Sequence, residues 1–353
     1  MSDLIEQTLA AIQPASERAA AAAQQMSDMK TKPQGALGRL EELACRLAAA
    51  RGNAMPQVAR KVIVVMAGDH GVTAEGVSAY PAEVTPQMVH NFVRGGAGIN
   101  VLARLAGARV VVVDMGVRGT HDFGAGVISM KVADGTANMA QGPAMSREQA
   151  EKAVESGIAL AIALAEEGLD IIGTGDMGIG NTTAASAIVA ALRRVKPAEV
   201  TGRGTGIDDV TLARKVKIIE RALELNQPDP SDPMDVLAKV GGFEIGGLCG
   251  LMLGAASVRV PVVVDGHIPG AAALLAVRMA PKAREYMIAA HRSVEVGHRL
   301  ALEELGAPPL LDLGMRLGEG TGAALAMLLI EAAMRVQSEM ATFAQAGVSE
   351  KKT

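Results

Sequence analysis

Four short runs of β-branched residues, each ending in a polar, glycine-rich loop, constrain this chain more than any other feature. Val62-Ile63-Val64-Val65-Met66 ends at Gly68-Asp69-His70-Gly71, and Val110-Val111-Val112-Val113 ends at Asp114-Met115-Gly116. Leu169-Asp170-Ile171-Ile172 ends at Gly173-Thr174-Gly175-Asp176, and Val260 to Val264, through Pro261, ends at Asp265-Gly266-His267. The runs are apolar on both faces, so both faces must be covered, and helix-compatible stretches lie between them. That pattern specifies an α/β fold, a doubly wound and mostly parallel sheet with helices on both faces. Open sheets of this kind bind ligands at the carboxyl ends of their strands. Here those ends are where the Asp, His, Gly and Thr residues gather.

Residues 1 to about 58 carry a different rhythm. An Ala-rich segment breaks at Lys32-Pro33-Gln34-Gly35, and from Leu37 to Ala50 the apolar positions 37, 40, 43, 44 and 47 follow helical spacing. The composition fits a folded enzyme with an aliphatic core packed through small residues: 49% hydrophobic, 2% aromatic, 40 Gly, 19 Met and no Trp among 353 residues. A net charge of −4 and the lack of a long Lys/Arg block argue against nucleic-acid binding. Cys45 and Cys249 stand far apart and outside metal-ligand spacing, as expected in a reducing compartment. Met1 to Met26 has no continuous apolar core, and no uncharged apolar run reaches the roughly 18 residues needed to cross a bilayer. The expectation is a cytoplasmic protein with no membrane partner.

Two loops carry the candidate chemistry. In Met315-Arg316-Leu317-Gly318-Glu319-Gly320-Thr321-Gly322, read as a turn after an apolar strand, one carboxylate lies between two glycines ahead of a helix-prone run from Ala323 to Met334. Glycine disfavours regular helix and permits close approach of a ligand. Met315 and Leu317 offer apolar walls that would raise the Glu319 pKa and make it a usable proton acceptor. The alternative is a solvated loop glutamate. The second loop, Gly173 to Thr183, joins a strand to a helix beginning near Ala184, and its glycines, Asn181, Thr182 and Thr183 form an anion cradle suited to phosphate. It is neither a Walker A loop nor a dinucleotide fingerprint, and the competing reading is a helix start that Thr182 or Thr183 caps. Lys215 is the candidate cation. Asp69, His70, Asp265 and His267 all fall at strand ends, which makes a metal site conceivable; no HxH or HExxH spacing supports it, and Asp265 also suits a buried carboxylate that orients a loop. Asp208-Asp209 suits helix N-capping better than ribose binding.

Lys32-Pro33-Gln34-Gly35-Ala36-Leu37-Gly38-Arg39-Leu40-Glu41, Asp69-His70-Gly71-Val72, Gly178 to Thr183, Lys239-Val240-Gly241-Gly242-Phe243 and Met315 to Gly322 fall in one order and spacing. Together these motifs resemble the nicotinate-nucleotide–dimethylbenzimidazole phosphoribosyltransferase family over residues 30 to 335. The resemblance implies transfer of ribose 5-phosphate from nicotinate mononucleotide to 5,6-dimethylbenzimidazole or a related base, giving α-ribazole 5′-phosphate and nicotinate in cobalamin assembly. It implies Glu319 as the base, with Asp176, Gly178, Gly180, Asn181, Thr182, Thr183 and Lys215 on the nucleotide and its phosphate. The base pocket would be Tyr80, Gln87, Met88, Met315 and Leu317, with Asp265 supporting. It further implies a homodimer with no cofactor and no metal, since the pyridinium is already a cationic leaving group. Its large α/β domain would span 59–290, and its small helical domain would combine 1–58 with 291–353. Three positions depart from the family pattern: Asp176 stands where Glu is frequent, Tyr80 where some relatives have a small polar residue, and Met88, beside Gln87, where others have glutamine. The preferred base is therefore open.

Overall fold

The computed structural model describes residues 1–306 and 308–349. Its centre is a six-stranded, all-parallel sheet in the order β3-β2-β1-β4-β5-β6. The strands are β1 (Lys61–Gly68), β2 (Ala108–Gly116), β3 (Val127–Ser129), β4 (Ile171–Met177), β5 (Val262–Val264) and β6 (Met287–Ala289). Every residue of β1 is buried, and alternate side chains divide between two cores. Val62, Val64 and Met66 join Val111, Val113, Ile172 and Val262 under the helices Arg147–Glu166, Phe243–Ser257 and His267–Met279. Ile63, Val65 and Ala67 join Val112, Val263 and Ile288 under the helices Arg39–Arg51, Gly98–Ala106 and Thr321–Glu339. A strand buried on both faces needs no polar alternation, which is why the runs read as they do.

Apart from Glu244 in its first turn, the helix Phe243–Ser257 is apolar on all sides and almost wholly buried. It meets Arg147–Glu166 at glycine contacts too close for any side chain: a Cβ on Gly250 would fall 1.9 Å from the Val154 carbonyl oxygen, and one on Gly157 would fall 1.9 Å from that of Gly247.

The two ends of the chain meet. Lys30 bridges Thr342, Thr31 N–H donates to the Ala341 carbonyl, Phe343 N–H donates to that of Met29, and the Gln337 amide donates to that of Ala23. The helix Thr321–Glu339 also covers β4 and β5, so the C-terminal segment lies directly on the sheet.

Three boundaries differ from the sequence reading. No strand precedes the Glu319 loop; Leu311 makes only an isolated bridge to His291, because Gly314 and the exposed Asp312 and Leu313 leave no apolar run long enough to pair. The strand expected from Val260 begins at Val262. The third strand run does not stop at Gly173: β4 continues through Met177, with Gly173 packed under Ala323 and Met327 of the helix Thr321–Glu339 and Gly175 under the Glu319 loop. The following helix accordingly starts at Asn181, not near Ala184. No described helix is long and apolar enough to cross a membrane.

Candidate active site

Loops at the carboxyl ends of β4, β5 and β6 enclose a cavity of about 710 Å³, within the usual range for a small-molecule site. Asp176, Gly178, Asn181 and Thr182 come from the end of β4, Gly266 and His267 from the end of β5, and His291, Ser293 and Glu295 from beyond β6. Tyr80 and Met88 close one side, and Arg316, Leu317, Gly318 and Glu319 the other.

Glu319 is buried and has φ +62°, between Gly318 at +79° and Gly320 at +89°. Three successive left-handed residues are costly where the middle one bears a Cβ, and the fold holds the strain from beneath. A Cβ on Gly175 would lie 2.4 Å from the Glu319 carbonyl oxygen, so the Glu319 loop rests directly on bare β4 backbone. Glu319 Oε2 accepts from Ile99 N–H at 3.0 Å, in the first turn of the helix Gly98–Ala106. Oε1 has no hydrogen-bond partner among the described residues. Burial raises its pKa, the Ile99 bond opposes that, and the Asp265 charge adds to it. The result is a carboxylate fixed by one oxygen and made more basic.

A second carboxylate lies against this loop. Asp176 Oδ2 accepts from the Asn181 amide at 2.9 Å, while its buried Oδ1 is unpartnered. A Cβ on Gly318 would touch both Asp176 oxygens at 3.4 Å. Burial, then the charges of Asp265 and Glu244, hold its pKa well above the ordinary carboxylate range, which favours the neutral acid. Asp265 is fully buried, with its pKa pushed up to about 6 by burial against the pull of His291. It accepts from Ala323 N–H at 2.8 Å and so anchors the helix behind Glu319.

Lys215 is buried, donating to Thr182 Oγ1 at 2.8 Å and the Gly202 carbonyl at 3.4 Å. Burial pushes its pKa down to about 8, with Glu295 opposing. A Cβ on Gly204 would stand 2.8 Å from Thr182 Oγ1 and 3.4 Å from Lys215 Nζ, so Thr182 and Gly204 share one wall of the cavity with the Lys215 ammonium directly behind it. The amides beside them are less free than the glycine pattern suggests. Ile179 N–H donates to Thr85 Oγ1, Asn181 N–H to the Gly178 carbonyl, and Thr183 N–H to that of Gly180.

Of the other expected residues, Tyr80 and Leu317 stand exposed at the mouth and Met88 half-buried behind them. Gly180, Thr183, Lys215, Gln87 and Met315 are not in the cavity lining: Gln87 faces solvent, Thr183 is buried, Lys215 is buried behind Thr182 and Gly204, and Gly180 is the left-handed residue that starts the helix at Asn181. The four residues weighed for a metal each make another contact, though Asp69 Oδ1, Asp265 Oδ2 and His267 Nδ1 stay unpartnered. His70 Nε2 meets Glu244 Oε1 at 2.7 Å, His267 Nε2 meets Ser186 Oγ at 3.2 Å, Asp69 accepts from Arg118 N–H, and Asp265 holds its helix. No group of three metal-ligating side chains forms among the described residues. Burial alone would lower the His70 pKa, and Glu244 more than reverses it. His70 packs under Gly178 and Gly180, its Cδ2 and Cβ lying 3.5 and 3.3 Å from where their Cβ atoms would be. Asp208 does cap its helix, accepting from Thr211 N–H.

Sequence reasoning missed Glu244, His291, Ser293, Glu295, Arg316 and the Ile99 amide. Glu244 directly follows the Lys239-to-Phe243 motif, and Arg316 lies inside the Glu319 motif. The others carry no local signal, since only the fold brings them to the cavity.

A family profile described as phosphoribosyltransferase matches residues 12–348. A nicotinate-nucleotide–dimethylbenzimidazole phosphoribosyltransferase of Chloroflexus aggregans is 60% identical over 349 residues, 99% of each chain. One from Geobacter metallireducens is 59% identical over 347 residues, 98% of each. The crystal structure of such an enzyme from Thermus thermophilus superposes with a TM-score of 0.89 at 48% identity, covering 95% of this chain and all of that one.

Proposed function

We propose that Glu319 is the proton acceptor in this protein's reaction, starting from the fact that the chain belongs to the nicotinate-nucleotide–dimethylbenzimidazole phosphoribosyltransferase family. The enzyme transfers the phosphoribosyl group of nicotinate mononucleotide to dimethylbenzimidazole in cobalamin biosynthesis. As the base nitrogen bonds to the anomeric carbon, the C–N bond to the pyridinium breaks and its electron pair neutralises the departing ring. The benzimidazole N–H proton passes to Glu319 Oε1. The pyridinium supplies its own electron sink, so the route asks for no Lewis acid or cofactor. The protein must hold the two reactants in line and accept one proton.

One observation carries the assignment: Glu319 is cavity-lining, buried, and tied by one oxygen only, so the other is free in an environment that raises its basicity. For the phosphate we assign Lys215 and Thr182, with Gly178 and Asn181 beside them; Gly180 and Thr183 act by shaping the turn. Burial and the charges of Asp265 and Glu244 raise the Asp176 pKa, which weakens the negative charge beside the approach to Glu319. Tyr80, Met88 and Leu317 flank the base, and Gln87 and Met315 lie outside that wall. Residues 1–58 and 291–353 form the unit that brings the Glu319 loop to the 59–290 unit. The working assembly we propose is a cytoplasmic homodimer, a reading supported by the family resemblance and by two cysteines that remain free thiols. Incubation with nicotinate mononucleotide and dimethylbenzimidazole, with products identified by mass, tests the reaction. Absence of the ribosylated base phosphate would overturn it, and sedimentation at working concentration tests the dimer.

A further inference from the structure

Glu295 lines the same cavity and is 6% exposed. One of its carboxylate oxygens is already engaged, since Oε1 accepts from Gly204 N–H at 2.8 Å. The other, Oε2, is buried without a partner. The nearby ammonium does not satisfy it, because Lys215 donates to Thr182 and Gly202. Gly202 leaves room for it, as a Cβ there would fall 2.2 Å from Oε2. An unmade hydrogen bond on a buried carboxylate oxygen is costly, and placing a carboxylate next to a phosphate site is unfavourable unless something else in the ligand requires it.

The two substrates offer few donors that could fill the gap. At neutral pH the phosphate and carboxylate of nicotinate mononucleotide act mainly as acceptors, and its pyridinium nitrogen carries no hydrogen. The benzimidazole N–H goes to Glu319. The remaining donors are the 2′- and 3′-hydroxyls of the ribose. Glu295 is also at the right end of the cavity, since Gly204, whose amide it holds, adjoins Thr182 and Lys215, where the 5′-phosphate is assigned. We infer that Glu295 is the ribose-recognition residue, its Oε2 accepting a hydrogen bond from the sugar diol, so that the enzyme selects ribonucleotides over deoxyribonucleotides. This inference rests on the phosphoribosyl-transfer reading above.

The test compares nicotinate mononucleotide with its 2′-deoxy and 3′-deoxy analogues, dimethylbenzimidazole being the acceptor throughout. The wild type should discriminate against at least one analogue by on the order of ten- to a hundredfold in kcat/KM, the range for a hydrogen bond to a charged group. Glu295→Gln keeps an oxygen for Gly204 N–H but turns the free acceptor into a donor. It should raise KM for nicotinate mononucleotide, leave KM for dimethylbenzimidazole nearly unchanged, and bring the ribo and deoxy substrates within a few fold of each other. If the variant retains the wild-type discrimination, Glu295 does not read the diol. A wild type that uses both deoxy analogues as well as the parent refutes the inference without any variant, which covers the case of a Glu295→Gln protein that does not fold. No product from nicotinate mononucleotide itself would instead strike the reaction assignment.

Discussion

Gly175→Ala tests whether the catalytic loop depends on the bare backbone beneath it. The added methyl would stand 2.4 Å from the Glu319 carbonyl oxygen, 2.7 Å from its carbonyl carbon and 3.0 Å from Gly320 N. All three are backbone atoms, so none can swing aside as a side-chain tip does. Ordinary contact begins near 3.4 Å, and the loop must therefore retreat by about 1 Å. Thr321 N–H and Oγ1 on the Gly318 carbonyl stiffen the turn, and Ile99 N–H ties Glu319 Oε2 to another helix, so the movement displaces the carboxylate itself. A misplacement of about 1 Å costs roughly 10²-fold in rate, and overpacking of this kind costs about 1–3 kcal/mol of stability. Steady-state kinetics and thermal unfolding of Gly175→Ala would show both, with Gly142→Ala, which has open space around it, as the comparison. KM for nicotinate mononucleotide should change little, since the phosphate wall lies elsewhere. A folded Gly175→Ala enzyme with kcat within twofold of wild type would refute the claim that β4 sets the position of Glu319.

Glu319→Gln should retain nucleotide binding and lose about 10²–10⁴ in turnover, the usual range for a missing general base; near-normal turnover would remove it from the mechanism. Lys215→Ala should weaken nicotinate mononucleotide by roughly 1.5–3 kcal/mol and dimethylbenzimidazole hardly at all, and equal losses by calorimetry would contradict the phosphate assignment. The Lys215 pKa is lowered to about 8, so in the free enzyme its charge is present below that pH and lost above it. KM for the nucleotide should accordingly rise above pH 8 in the wild type, and a flat profile would count against Lys215 as the phosphate cation. Tyr80→Ser and Met88→Gln should each re-rank a set of benzimidazoles in one-tube competition by about 1–3 kcal/mol or less, and unchanged product ratios in both would show that this side of the cavity does not hold the base. Turnover should survive exhaustive chelation, and recovery only on adding back a metal ion would reopen the question of metal dependence.

The parts of this protein legible in its sequence are those written in contiguous residues. Val62 to Met66 and Val110 to Val113 announce strands buried on both faces, and the parallel sheet with its ligand end follows from them. Glu319 is legible because both its glycines are adjacent in the chain. What the sequence hid depends on contacts between distant segments. Gly173 and Gly175 look like loop residues and are strand residues: the helix Thr321–Glu339 packs over Gly173, through Ala323 and Met327, and the Glu319 loop passes over Gly175, so neither leaves room for a side chain. Glu295 lies in a featureless Ser-Val-Glu-Val stretch, and only the return of the chain after β6 sets it beside Gly204. The anion cradle was legible as a turn, but which of its amides would already be occupied depended on Thr85, nearly a hundred residues earlier.

The meeting of the chain's two ends has a consequence for its synthesis. Lys30 and Thr342 pair, yet about 300 residues separate them, and at roughly 5–20 residues per second the ribosome delivers the second about 15–60 s after the first. Throughout that interval the N-terminal helices have emerged while the helix Thr321–Glu339, which packs on Arg39–Arg51, does not yet exist. Their apolar faces, with Leu43 and Leu47, must wait or be shielded by a chaperone. Glu319 follows the last strand, β6, at Ala289, so a nascent chain can complete its sheet before Glu319 is made.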